Sequence, residues 1–132
     1  MEMDITFAGN KKVLAHYKGF TVASDQPVKE GGDGSAPEPY DLLLASIGTC
    51  AGVYVIYFCE KRHIPIDGLK MTLQSEKNSK TNLFESIRLE IQLPAGFPDK
   101  YRSAVVRAAE MCTVKRSFKH PPQIEVVAEP RS

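Results

Sequence analysis

Three thiols, Cys50, Cys59 and Cys112, have the most chemistry to offer in this chain. A thiolate is a nucleophile that attacks peroxide oxygen or disulfide sulfur, and its availability depends on nearby charge and on burial. Cys50 stands between Thr49 and the small residues Ala51 and Gly52, which leave room beside its sulfur. Cys112 is followed by Thr113, Lys115 and Arg116, and positive charge near a thiol is expected to lower its pKa. Cysteine is also among the most buried residue types, so Cys50 has two open readings, a reactive thiol or a core residue. Cys59 lies nine residues after Cys50, which at 100° per residue puts it on the opposite face of a helix. With Tyr57 and Phe58 as neighbours it reads as structural. An odd cysteine count spread over the chain does not suit a secreted disulfide framework, and a cytoplasmic protein with reduced thiols fits better. No pair has C-x-x-C spacing, and His16, His63 and His120 do not cluster with the cysteines, so no metal site is expected.

The elements that must position these thiols follow from periodicity. Residues 3–8, 13–17 and 20–24 read as strands, with Gly9-Asn10 and Lys18-Gly19 as turn chemistry. Residues 25–39 are dense in Gly, Pro and Asp and read as a long, exposed loop. From Leu42 to Cys59 no residue is charged, while Asp41 precedes this run and Glu60-Lys61-Arg62 follow it. Pro39 suits the first turn of a helix and Asp41 the positive end of its dipole, so the spacing predicts one long helix over residues 40–62. Alternation through Leu69, Met71 and Leu73, then through Ile87, Leu89, Ile91 and Leu93, predicts a hairpin. Pro98-Asp99 opens a second helix, with Tyr101, Ala104, Val105, Ala108 and Cys112 on one stripe. VKRSFKH (114–120) reads as a short turn or helix, and QIEVVAE (123–129) as a closing strand. The fold class is therefore α+β, in one domain over residues 1–132.

The uncharged helix constrains the assembly. Its length just reaches that of a membrane span, but Ser46, Gly48, Thr49 and Gly52 interrupt it and the other elements are amphipathic. A helix apolar all round must be covered all round. The short strands and single further helix have one apolar face each, thin cover for a helix of roughly 30 Å. A second copy would complete it, so a homodimer is expected, with Ser46, Gly48, Ala51 and Gly52 permitting close helix approach. A stable monomer in sedimentation at micromolar concentration would contradict this.

Composition excludes other classes. Hydrophobic residues make up 42% and charged residues 25%, as in an ordinary globular protein. A net charge of +1 without a long basic run gives no footprint for nucleic acid or an anionic membrane surface. The N-terminal MEMDITFAGNKK lacks the apolar core of a secretory signal, so none is expected.

The run Pro39-Tyr40-Asp41-Leu42-Leu43-Leu44-Ala45-Ser46-Ile47-Gly48-Thr49-Cys50 resembles the OsmC/Ohr family, osmotically inducible protein C and organic hydroperoxide resistance protein. So do Asp25-Gln26-Pro27 with Gly31-Gly32, and Ala108-Ala109-Glu110-Met111-Cys112-Thr113-Val114. The similarity covers nearly the whole chain in order, and Tyr-Asp before the leucines looks like the broad OsmC-like branch more than Ohr proper. The resemblance implies an intertwined α+β homodimer with its long helix central and buried, two active sites at the interface, and no metal or organic cofactor. It implies Cys50 as the peroxidatic thiol and Cys112 as the resolving thiol of a hydroperoxide reductase in oxidative or osmotic stress defence. The reductant implied is an external dithiol, lipoyl-type in the Ohr branch. A pocket lined by Tyr54, Tyr57 and Phe58 would suit a bulky alkyl or aryl hydroperoxide.

Strongly active family members hold the thiolate with an arginine from the N-terminal strands and a glutamate before the helix. This chain has no arginine before Arg62, and Lys11 and Lys12 are the nearest substitutes. A lysine is a point charge and cannot reproduce a bidentate guanidinium fork. The glutamate's place falls on Tyr40, with Asp41 beside it and Glu38 two earlier. Arg116 could supply charge from the other end of the site. The alternatives are a non-enzymatic redox sensor or small-molecule-binding protein on the same fold, and a structural dimer with inert thiols.

Overall fold

Alternating side chains make strands where the pattern asks for them: β1 (Asp4–Gly9), β2 (Lys12–Tyr17) and β3 (Phe20–Ser24) form an antiparallel sheet in that order. The computed structural model describes residues 1–130 and divides the chain into two compact units, residues 1–46 and residues from 47 on. Its fold is α+β with antiparallel sheets.

In the first unit Lys18 and Gly19 both have positive φ, 47° and 81°, the backbone a tight β2–β3 turn requires. Cross-strand pairs Ile5–Ala15, Phe7–Val13, Ala15–Val22 and Tyr17–Phe20 put these side chains on one sheet face. That face is uncovered: Phe7 is 85% and Phe20 64% exposed. On the other face His16 bridges the strands, its Nε2 3.0 Å from Thr6 Oγ1 and its Nδ1 3.1 Å from Thr21 Oγ1.

The segment after β3 is more tightly built than its composition suggested. Asp25 is fully buried, and its carboxylate accepts the Gln26 N–H at 2.7 Å, the Ser35 N–H at 3.0 Å and the Ser35 hydroxyl at 2.6 Å. A Cβ on Gly32 would stand 2.0 Å from the Gln26 carbonyl oxygen, so this close approach admits only glycine. The Ser35 bonds, side chain first, lower the Asp25 pKa to about 2, against the opposing effect of desolvation. A depressed carboxylate stabilises the fold above its unfolded pKa of 3.8 and loses that contribution as pH falls through about 2. The amide signals of Gln26 and Ser35 are thus expected to keep their native positions at pH 5 and to leave them only as the pH approaches 2. Loss complete at pH 5 would contradict this account.

α1 (Pro39–Lys61) is the long helix expected, with Asp41 in its first turn and Lys61 in its last. His63 ends it in the left-handed region, φ 53°, while the Ile64 N–H bonds back to the Cys59 carbonyl at 2.9 Å.

In the second unit β4 (Lys70–Lys77) and β5 (Phe84–Gln92) form the expected hairpin, pairing Met71 with Ile91 and Leu73 with Leu89. α2 (Arg102–Glu110) and α3 (Thr113–Lys119) follow. Ala51, Val55, Phe58, Cys59, Phe97, Val105, Ala109 and Cys112 make the buried core. The small residues of α1 serve it: a Cβ on Gly48 would meet Leu73 at 3.8 Å and one on Gly52 would meet Met71 at 3.9 Å. Their neighbours within this chain are β4 side chains rather than another helix.

The chain alone buries one stripe of α1 at helical spacing, Ile47, Ala51, Val55, Phe58 and Cys59. By length and composition α1 would suffice to cross a membrane, yet Ala51, Val55, Phe58 and Cys59 pack into the core. One expectation needs correction: QIEVVAE is not a strand. A strand exists by hydrogen-bonding to a neighbour, and among the described residues this segment has none, leaving Ile124, Val126 and Val127 exposed.

Candidate active site

The site arises where α1 meets the corner between α2 and α3. α2 stops at Glu110, and Cys112 adopts extended backbone, φ −60° and ψ 142°, as the N-cap of α3. The Lys115 N–H, otherwise an orphan donor of the first turn, donates to Cys112 Sγ at 3.3 Å. This corner takes Cys112 out of the α2 helix while leaving it in the core, 1% exposed. Cys50, on α1, is half-buried and packs against the same core cluster. The two thiols stand close enough for Cys50 to act on the acidity of Cys112. One turn after Cys50, Tyr54 Oη lies 3.0 Å from Thr113 Oγ1, a second link between α1 and the corner.

Burial pushes the Cys112 thiol up first of all, and Cys50 pushes it the same way by charge and hydrogen bond. The Lys115 N–H and, more weakly, its ammonium pull the other way. The expectation that nearby cations would make Cys112 the more acidic is therefore overturned, because desolvation dominates and Arg116 is not among the groups acting on it. Cys112 keeps its proton and can donate it to the Cys50 sulfur. An S–S bond is about 2.05 Å long, so a disulfide between them requires the two sulfurs to approach to that distance.

Cys59 stands apart, fully buried, its thiol pushed up by burial against the milder pull of Arg62. The Arg62 guanidinium lies 3.7 Å from the Phe58 ring centroid and closes this end of the core.

The remaining candidates divide between the units. In the first, Lys11 is exposed, its stem folded toward Gly31, and Lys12 pairs with Asp33 at 3.1 Å. Glu38 lends its carbonyl to the Asp41 N–H at 3.0 Å, and Asp41 is exposed in the first turn of α1. In the second, Arg116 is exposed on α3. Among the described residues no three His, Cys, Asp or Glu side chains converge as a metal site would need.

A cavity of about 920 Å³ opens onto Cys112, with apolar walls from Ile47, Leu89, Val105 and Phe118 and with Arg88 and Arg102 among its polar groups. It is not the pocket expected from Tyr54, Tyr57 and Phe58. Phe58 is committed to the core, Tyr54 to its bond with Thr113, and Tyr57 faces solvent. Sequence reading named Lys115 as a charge near Cys112 but missed its backbone N–H, which donates to Sγ. The cue was there, since a short polar-capable side chain three residues before a donor is the spacing of an N-cap.

The sequence profile of OsmC-like protein matches residues 32–127. No curated protein matches the chain. Solved structures do. A candidate osmotic stress induced and detoxification response protein from Psychrobacter arcticus 273-4 superposes with a TM-score of 0.78 at 21% identity, over 87% of this chain and 85% of that one. An OsmC-like protein from Mycoplasma pneumoniae gives 0.70 at 15% identity, over 92% and 89%. The organic hydroperoxide resistance protein OhrB of Bacillus subtilis gives 0.59 at 16% identity, over 92% and 93%.

Proposed function

Because the chain belongs to the OsmC-like protein family, and because Cys50 packs against the core cluster that holds Cys112 and acts on its acidity, we propose that it is a thiol-dependent peroxidase reducing organic hydroperoxides. The proximity of the two cysteines is the observation that carries this reading. The half-exposed Cys50 attacks the hydroperoxide as thiolate, the O–O bond breaks, and the alkoxide leaves to be protonated to the alcohol. Cys50 becomes a sulfenic acid, which the Cys112 thiol attacks, releasing water and forming the Cys50–Cys112 disulfide. An external dithiol, of lipoyl type, returns both residues to thiols by exchange. Burial of Cys112 keeps the resolving thiol from reacting first. Asp41, Glu38, Lys11 and Arg116 are the charges proposed to hold the Cys50 thiolate. The setting we infer is cytoplasmic defence against oxidative or osmotic stress.

The working unit we infer is a homodimer. The exposed apolar face of β1–β3, the single covered stripe of α1 and the unpaired residues 123–129 all support a second copy as the missing cover.

A second reading, a redox sensor or small-molecule-binding protein, draws on the absence of arginine before Arg62. Turnover decides between them. With dihydrolipoamide as reductant, cumene hydroperoxide is expected to be consumed catalytically, about tenfold or more faster than hydrogen peroxide, since apolar side chains such as Ile47, Leu89 and Val105 near the thiol pair can pack an aryl group and offer hydrogen peroxide nothing. One stoichiometric oxidation without further turnover would favour the sensor, and no thiol loss at all would contradict both.

A further inference from the structure

α2 and α3 enclose a second cleft, of about 440 Å³, bordered by Arg107 and Glu110 of α2, by Lys115, Arg116 and Lys119 of α3, and by His120. Four fixed cations and one carboxylate thus belong to residues that line it, in a chain whose whole net charge is +1. All four side chains are exposed, and among the described residues none of them makes an ion pair or a side-chain hydrogen bond. Four cations gathered with a single counter-charge repel one another, so the arrangement needs a reason. Helix dipoles give part of one, because Arg107 lies in the last turn of α2 and Arg116 and Lys119 in the last turn of α3. They do not account for Lys115, which sits in the first turn of α3, where the dipole disfavours a cation. Nor do they account for the corner at Met111-Cys112, which brings the charges of both helices to one cleft.

We propose that this cleft binds a small organic phosphate carrying two or more negative charges. An excess of three positive charges exceeds what a single carboxylate can neutralise. Two guanidinium forks match phosphate oxygens in bidentate fashion, and the lysines add point charges. A confined cleft rather than a long basic stripe fits a small molecule, not a nucleic acid. Lys115 also borders the cavity that opens onto Cys112, so an anion paired with it withdraws a positive charge from the neighbourhood of that thiol.

The test is a titration of the full chain with inorganic pyrophosphate at constant ionic strength, followed by calorimetry and by amide NMR. It requires no redox chemistry and is decided whether or not the peroxidase reading holds. The expected result is saturable binding of one pyrophosphate per chain, tighter than inorganic phosphate, with amide shifts centred on residues 107–120. Arg107→Glu and Lys119→Glu, both on exposed side chains, are each expected to weaken it about tenfold or more, the scale of one lost charge-assisted hydrogen bond. Lys29→Glu, exposed and outside the cleft, should bind as the parent does. No saturation by about 10 mM at roughly 0.1 M salt, unchanged binding in the cleft variants, or equal weakening by Lys29→Glu would each overturn the proposal.

Discussion

Replacing Cys50 by serine is expected to end hydroperoxide turnover, with a loss on the order of 10³-fold or more. Serine has nearly the shape of cysteine, so the packing of α1 against Ala109, Cys112 and β4 should survive. Its hydroxyl can still accept the Cys112 proton, and no buried donor is orphaned. What disappears is the thiolate, because an alcohol is far too weak an acid to supply an anionic nucleophile near neutral pH. The unfolding midpoint should therefore move little while turnover vanishes. A Cys50→Ser protein that kept parental rates would remove Cys50 from the chemistry, and the account with it.

Cys112→Ser is expected to fail at a later step. Serine is a favoured N-cap, so the bond from the Lys115 N–H and the start of α3 should be retained or improved. Cys50 remains free to attack, and the first hydroperoxide is consumed at close to the parental rate. The sulfenic acid then has no resolving partner, because Cys59 is fully buried on another face of α1. The variant should lose one thiol per chain instead of two, accumulate an adduct with dimedone, and turn over about 10²-fold more slowly with a dithiol. Unchanged steady-state turnover, with no trappable sulfenate, would show that Cys112 does not resolve.

These outcomes depend on features that differ in how far local sequence encodes them. β1–β3, α1 and the β4–β5 hairpin follow from periods of 2 and 3.6 with turn residues between them, and those patterns are local. Segment 25–38 misled because composition cannot report that one carboxylate, Asp25, is buried and ties the segment through Ser35. QIEVVAE alternates as a strand does, but pairing is a property of two segments, and among the described residues no strand pairs with it. The meeting of Cys50 with Cys112 joins residues far apart in the chain. The residues alone left Cys50 open between two readings, and only the family resemblance pointed to the pair. The acidity of Cys112 went the wrong way because Lys115 and Arg116 are visible in the sequence while burial is not.

The central claim is that Cys50 and Cys112 form one redox couple. The most direct measurement is thiol counting and peptide mapping after one equivalent of cumene hydroperoxide, repeated after dihydrolipoamide. The account predicts rapid loss of two of the three thiols, a Cys50–Cys112 linked peptide, an intact Cys59, and recovery of all three thiols with the dithiol. Survival of all three thiols in the folded protein, or a disulfide involving Cys59, would contradict it.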